Sequence, residues 1–455
     1  MKSFLFLFLV MCISLSAQEK QISIPFIRYV LPNGLNVILH EDHSTPTVGV
    51  NIWYHVGSGY EKPGRTGFAH LFEHLMFMGS GHVKQGEFDK LLETAGGDNN
   101  GSTNEDRTNY FEDVPSNALE LPLYLDSDRM GFLVDAMSPQ SVDAQRSVVK
   151  NERRQSYENR PYGLAWETIY KNLYPAGHPY SWTTIGSMED LSAASYEDVV
   201  QFFKTYYVPN NASLSIAGDI NPSETIKLVE KWFGKIPAGK PVPPQNPVAT
   251  KLTEEKIVTL EDKVQLPRLY MVWISPQRFA PGDAELDILG SILSGGKSSR
   301  LYKRLVYDLQ IAQDVSASQN SSKLSSQFMI IATARAGHNL DELKKVIQEE
   351  IDKIKNNPPE QREVQRAVNQ YEASFLDRLE RPGGFGGKAD LLNDYYYYTG
   401  NPDYFNEDLA RYKALSPGDI QAMTQTYLPD NGRVILSIVP KGKLDLAVSQ
   451  KGELR

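Results

Sequence analysis

The sequence predicts an α+β fold built twice: two sequence-related domains, each a mainly antiparallel sheet packed with helices. Three observations lead there. Short runs with strand character alternate with longer runs of helical periodicity. A proline-rich stretch, 237–250, divides the chain into parts of similar length. A helix-end, turn and strand sequence near the close of the first part recurs near the close of the second.

The first residues read as a targeting segment. Lys2 supplies a positive start, Phe4 to Ile13 is apolar, and Leu15-Ser16-Ala17 offers small residues for cleavage. Residues 1–17 are therefore expected to be a signal peptide, with export to a bacterial periplasm or cell envelope. The run is too short to span a bilayer comfortably. No later stretch reaches the roughly 18 apolar residues of a membrane helix, so no stable membrane span is expected. Cys12, the only cysteine, lies inside the leader. A mature chain without thiols excludes disulfides, cysteine-ligated zinc and thiol catalysis together, and fits a bacterial envelope better than a disulfide-dense secreted domain.

The remainder, 41% hydrophobic and 23% charged over 455 residues, is ordinary globular composition. A formal net charge of −9 provides no broad basic field, which excludes nucleic acid as the expected partner.

Apolar-rich runs Phe26 to Leu31 and Leu35 to His40 flank Pro32-Asn33-Gly34, a hairpin signal. Thr47 to Tyr54 alternates as a third strand. Thr66 to Met78 crowds apolar residues ahead of Gly79 and predicts a buried helix. Glu87 to Thr94 predicts a shorter helix stopped by Gly96-Gly97, and Tyr110 to Val114 a strand. Pro115 to Met130 and Pro139 to Tyr157 predict helices. The expected divisions are a first domain at 24–236, the linker at 237–250 and a second domain at 251–455. Tyr207-Val208-Pro209-Asn210-Asn211 leads into the strand Ala212 to Gly218. Tyr427-Leu428-Pro429-Asp430-Asn431 leads likewise into Val434 to Val439, and Thr47 to Tyr54 has a counterpart in Leu269 to Ile274.

The chemistry concentrates in His70-Leu71-Phe72-Glu73-His74. Histidines four apart on a helix share one face and can occupy neighbouring corners of a tetrahedral zinc ion. Glu73 lies close to that face, where a carboxylate can take a proton from water activated by the metal. The bland alternative is a pair of solvent-facing histidines. Phe68, Leu71, Phe72, Leu75, Met76 and Phe77 weigh against it, because polar groups in such surroundings are costly unless satisfied. The order H-x-x-E-H is that of the inverzincins. A catalytic zinc usually takes three protein ligands. Histidines 40, 43, 55, 82 and 178 and many carboxylates are available for the third, and spacing does not choose among them. Glu152, on the predicted helix around Gln145 to Arg154, also fits an ordinary surface salt-bridge helix.

Over nearly the whole mature chain the sequence resembles the pitrilysin/insulinase family, in its bacterial and processing-peptidase-like branch. The matching parts are Gly67 to Gly79, Asn100 to Tyr110, the Asn151-Glu152-Arg153 region, His178-Pro179-Tyr180 and Gly295 to Leu301. The resemblance implies a zinc metallopeptidase with one Zn2+ per chain and Glu152 as third ligand beside His70 and His74. It implies two domains closing as a clamshell around a chamber. It also implies an edge strand near the metal to which a peptide substrate adds, with Asn100 and Gly101 facing that substrate. A turn position after Gly96-Gly97 is the plainer reading of Asn100. Two rival functions stand beside peptide hydrolysis: a non-catalytic family subunit that binds peptides or assists an active partner, and a hydrolase acting on a non-peptide bond.

Two departures from the family pattern stand out. Gln145 occupies a position, seven before Glu152, where many relatives carry glutamate. After Ser298-Ser299-Arg300-Leu301, Val306 and Gln313 occupy positions where active members carry Arg and Tyr that reach substrate. A related subunit bearing that pair, as a heterodimer, or a homodimer is therefore expected, unless Arg300 or Tyr302 substitutes locally. The second part, whose only histidine is His338, does not repeat the metal motif. Gly295-Gly296-Lys297-Ser298 lacks the first glycine of a phosphate loop, which falls on Ser291. Gly383 to Lys388 reads as a mobile loop and Tyr395 to Tyr398 as a packing or recognition surface.

Overall fold

The computed structural model describes residues 21–245 and 250–449. The expected signal peptide with Cys12, and Pro247 of the linker, lie outside the described residues. Strands β1 (Ile27–Val30), β2 (Asn36–Glu41), β3 (Thr47–Tyr54), β4 (Asp98–Thr103), β5 (Thr108–Pro115) and β6 (Ala212–Gly218) form one sheet, ordered β1-β2-β6-β3-β5-β4. Strands β7 (Lys256–Asp262), β8 (Arg268–Ser275), β9 (Ala312–Asn320), β10 (Ser326–Ala334) and β11 (Arg433–Pro440) form a second, ordered β7-β11-β8-β10-β9.

Order and polarity both repeat. β2 runs parallel to β6 as β7 does to β11, and the remaining neighbours are antiparallel in both sheets. β3 and β8 occupy the same slot, as do β6 and β11, so the two halves are copies of one α+β plan. β1 is the addition, folded onto β2 around Gly34. Gly34 has φ +89°, and a Cβ there would lie 2.6 Å from Cβ of Asn210.

Fourteen α-helices among the described residues complete the halves. The first part contributes α1 (Phe68–Leu75), α2 (Glu87–Thr94), α3 (Glu120–Ala136), α4 (Pro139–Arg153), α5 (Ala165–Leu173), α6 (Met188–Ala193), α7 (Tyr196–Tyr206) and α8 (Pro222–Phe233). The second contributes α9 (Asp283–Ser294), α10 (Leu340–Asn356), α11 (Gln361–Arg378), α12 (Lys388–Thr399), α13 (Phe405–Lys413) and α14 (Pro417–Tyr427). None is long and apolar enough to cross a membrane. The helix expected from Pro115 begins instead at Glu120. Pro115 closes β5, where its missing N–H costs least, and Pro122 sits in the first turn of α3, where an N–H has no intrahelical partner.

Both sheets bury both faces. In β3, Val48, Val50, Ile52 and Tyr54 join the core under the first-half helices, while Asn51 and Trp53 meet α12 on the other face. In β8, Leu269, Met271 and Trp273 face one core and Tyr270 and Val272 the other. The second faces are covered reciprocally. Ala165, Ile169 and Leu173 of α5, from the first part, pack on Tyr270, Val272, Val434 and Leu436 of the second sheet. Leu392 and Tyr395 of α12, from the second part, pack over Ile38 of the first. The stretch 383–388 that leads into α12 also lies on the first sheet. A Cβ on Gly49 would come 2.3 Å from Gly383 Cα, and the ring of Phe385 meets that of Phe111 edge-on at 4.5 Å. Tyr395 to Tyr398 belong to this packing.

Beneath α1 the first half holds a buried charge cluster. Arg129 donates to Glu112 at 2.8 Å and to Asp126, all three side chains being shielded from solvent. Its guanidinium also lies 4.3 Å from the ring centre of Tyr110 and 4.7 Å from that of Phe88. Burial pushes the Glu112 carboxyl well above its usual range. Removing the cation strands two carboxyl groups, a change that costs about 3–5 kcal/mol in comparable buried sites. Arg129→Met is expected to lower stability by about that amount in urea denaturation. The deficit should grow as pH rises above the carboxylate range of the unfolded chain, because the raised pKa favours the protonated folded form. A variant unfolding at the wild-type urea concentration would contradict this account.

Candidate metal centre

Helix α1 starts at a close backbone approach. Gly67, at φ +92°, precedes Phe68, and a Cβ there would lie 2.7 Å from the carbonyl oxygen of Ile185. The carboxylate of Glu61 accepts from the N–H groups of Gly67 (2.9 Å) and Ala69 (2.8 Å), satisfying two donors of the first turn. Burial pushes the Glu61 carboxyl up to about 8. Phe68, Leu71, Phe72 and Leu75 face the core, which turns His70 and His74 toward α4.

Glu152 lies in the last turn of α4, and the chain continues as a π-helical turn, Arg154–Glu158. Its neighbour Arg153 donates to the carbonyl of Gly186 at 2.7 Å and to Glu167 at 2.6 Å, clamping the end of α4 to the loop that touches Gly67. Glu152 Oε2 thereby stands 3.2 Å from His74 Nε2 and 3.7 Å from His70 Nε2. One donor atom from each of His70, His74 and Glu152 lies within 4.8 Å of the others. It is the only such group of three found among the described residues.

Two imidazoles and a carboxylate suit zinc. Tetrahedral bonds of about 2.0–2.1 Å imply donor separations of about 3.3 Å, close to those seen. Burial lowers the His70 pKa, and the hydrogen bond from His74 lowers that of Glu152. Both shifts favour the neutral imidazole and the ionised carboxylate, the forms that ligate metal. The buried Nδ1 of His70 has no hydrogen-bond partner among the described residues, so Nε2 is the nitrogen engaged with the carboxylate.

Glu73 stands beside this group without joining it. Its Oε2 accepts the hydroxyl of Thr103 at 2.6 Å. Thr103 belongs to β4, which pairs only with β5 and so forms the sheet edge. Gly101, two residues before, shares that face, and a Cβ there would lie 3.4 Å from Glu73 Cγ. Asn100 is a strand residue and not a turn residue. Its side chain takes the opposite face and accepts from the N–H of Gly101 at 2.8 Å.

The other histidines of the first part have other partners. His40 bonds the carbonyl of Pro25, His43 bonds Glu41 and Asp219, and His55 bonds Ser213. His82 bonds Asp128, and His178 stacks on Tyr174. Gln145 is buried against Met78. Arg300 is held by Glu363 in a bidentate pair, Val306 packs against the second core, and Gln313 is exposed on β9. Sequence reasoning missed Thr103, Glu61 and Arg153. Only the alternation Gly101, Thr103 in a strand beside the motif could have indicated the first.

Residues 36–178 match the family model described as Insulinase (Peptidase family M16), and residues 193–371 the one described as Peptidase M16 inactive domain. A zinc protease of Helicobacter pylori, PqqE, is 29% identical over 417 residues, covering 90% of this chain and 92% of that protein. A probable mitochondrial-processing peptidase subunit beta of Arabidopsis thaliana is 24% identical, over 94% of this chain and 79% of that protein. The crystal structure of a protease from Helicobacter pylori superposes with a TM-score of 0.85 at 27% identity, over 92% of this chain and 100% of that one. With two models of this family matched in order and the fold shared over 92% of the chain, the chain belongs to the M16 (insulinase/pitrilysin) peptidase family.

Proposed function

We propose that the chain is an exported zinc metallopeptidase that hydrolyses peptides or unfolded segments. The observation that carries this reading is the convergence of His70, His74 and Glu152, with Glu73 of α1 beside them and bonded to Thr103 of the edge strand. His70, His74 and Glu152 would hold one zinc ion per chain. When bound, zinc supplies Lewis acidity toward the scissile carbonyl and toward water. Glu73 takes a proton from the attacking water and passes it to the leaving amine. Thr103 holds one oxygen of that base and so fixes its orientation. The open edge of β4 pairs with an extended peptide through its backbone, with Asn100 and Gly101 alongside, a mode that places little demand on side-chain identity. Export rests on the leader-like start of the sequence.

The substrate carbonyl also needs a donor as negative charge develops, a large catalytic contribution. Val306 and Gln313 do not provide one of the Arg/Tyr type, and Arg300 is engaged with Glu363. We therefore assign the chain a related partner subunit that carries the pair. One of its relatives is by name a subunit.

Glu73→Gln is expected to cut peptide cleavage by roughly 10²- to 10⁴-fold, the usual contribution of a general base, while the purified variant keeps its zinc. Loss of metal together with activity would mean that Glu73 is a ligand. Glu152→Gln should weaken zinc binding far more than Glu158→Gln, whose carboxylate faces Arg153 at 3.6 Å and not the histidines. Competition with a chelator ranks the two, and equal retention would move the third ligand elsewhere. Finally, turnover by the purified mature chain should rise on co-expression with an Arg/Tyr-bearing relative. Full turnover by an isolated monomer would remove the need for any partner.

A further inference from the structure

The turn that joins β4 to β5 belongs to the first half, yet most of what holds it comes from the second. Asn104 Oδ1 shapes the turn locally by accepting the N–H groups of Asp106 (2.8 Å) and Arg107 (2.9 Å). The carboxylate of Asp106, 1% exposed, then collects donors from three segments. These are the hydroxyl of Tyr180, the backbone N–H of Lys323 at 2.9 Å and the hydroxyl of Tyr398 at 2.9 Å. The carbonyl of Asp106 accepts the hydroxyl of Tyr397 at 2.9 Å. Tyr180 is itself tied across, since its oxygen accepts the N–H of Leu324 at 3.0 Å. Lys323 and Leu324 form the β9–β10 connection, and Tyr397 and Tyr398 lie on α12.

A second route reaches the same strand. Asp390 of α12 accepts from Trp53 at 2.9 Å and from Asn109 at 3.3 Å. Asn109 Oδ1 accepts the hydroxyl of Ser102 at 2.6 Å, and Arg107 donates to both the hydroxyl and the carbonyl of Ser102. Ser102 adjoins Thr103, the residue that holds Glu73. Two chains of hydrogen bonds therefore run from α12 to the edge strand, one through Asp106 and one through Asn109.

We propose that Asp106 is a positioning residue: by gathering donors from α12 and the β9–β10 connection, it sets the β4 edge and the Thr103–Glu73 contact, so that the base is correctly placed only while the second half is docked. This rests on the reading of Glu73 as general base. Bringing four donor groups to one residue in a buried site is effective only when all are present, because each unpaired polar group there is costly. Withdrawal of the second half would leave the Asp106 carboxylate with Tyr180 alone and free the turn that begins next to Thr103, Glu73's partner. A displacement of about an ångström at a reacting group costs up to roughly a hundredfold in rate.

The test is the double variant Tyr397→Phe/Tyr398→Phe in the full mature chain, which removes two donors and keeps both rings. Tyr395→Phe is the control, because that hydroxyl lies on the same helix but bonds Asp408 at 2.8 Å and not Asp106. In the double variant, amide hydrogen exchange across residues 100–107 is expected to rise at least tenfold, with zinc content unchanged. The kcat for a quenched fluorescent peptide is expected to fall about ten- to a hundredfold. Tyr395→Phe should lower the unfolding temperature without either local effect. Wild-type exchange at 100–107 in the double variant, or the same increase in the control, would overturn the proposal. If the wild-type chain cleaves no peptide even when co-expressed with an Arg/Tyr-bearing relative, the peptidase reading fails on its own account, and the exchange measurement still decides the positioning role.

Discussion

Each sheet of this protein carries side chains that are buried on both faces, one of them under helices of its own half. The second face is covered by a helix from the other half: α5 over the second sheet and α12 over the first. An uncovered face would expose Tyr270, Val272, Val434 and Leu436 in one case and Ile38 in the other, at about 25 cal/mol per Å² of apolar surface. This reciprocal covering explains why β3 and β11 are buried along nearly their whole length. It also makes the two halves a single structural unit although each has its own sheet.

The candidate metal centre is built on the first half alone, and hydrogen bonds run from its edge strand to α12 of the second half. Its parts come from two helices and an edge strand. α1 brings the two histidines and Glu73, α4 brings Glu152 at the point where the helix widens into a π turn, and β4 brings Thr103. Arg153 locks the exit of α4 to the loop that touches Gly67. π turns of this kind are common at functional sites. The shifts at His70 and Glu152 act in the same direction, toward the forms that ligate metal.

The departures from the family pattern acquire physical meaning once placed. Gln145 is buried against Met78, an environment in which a charged glutamate would need a partner. Val306 serves the second core, and Gln313 is exposed on the edge strand β9. Neither is near-isosteric with Arg or Tyr. The second half thus contributes to the site by supporting the β4 edge through α12, and the sequence of that half carries no motif for doing so.

What the amino-acid sequence determined was everything set by neighbours along the chain. The spacing of His70 and His74 on a helix, the hairpin at Gly34, the strand Thr47 to Tyr54 and the repeat of the Tyr207 and Tyr427 segments all depend on periodicity or turn chemistry, which act locally. Boundaries were less legible where proline has two uses, as at Pro115, which ends a strand where a helix was expected to begin. What only the tertiary structure decided depends on contacts distant in sequence. It brought Glu152 to His70 and His74 and set Thr103 against Glu73. It also turned the tyrosines of α12 onto Asp106. Backbone spacing restricts which residues can share a face, but the meeting of two faces is selected by burial summed over the whole molecule, and no local pattern encodes that sum.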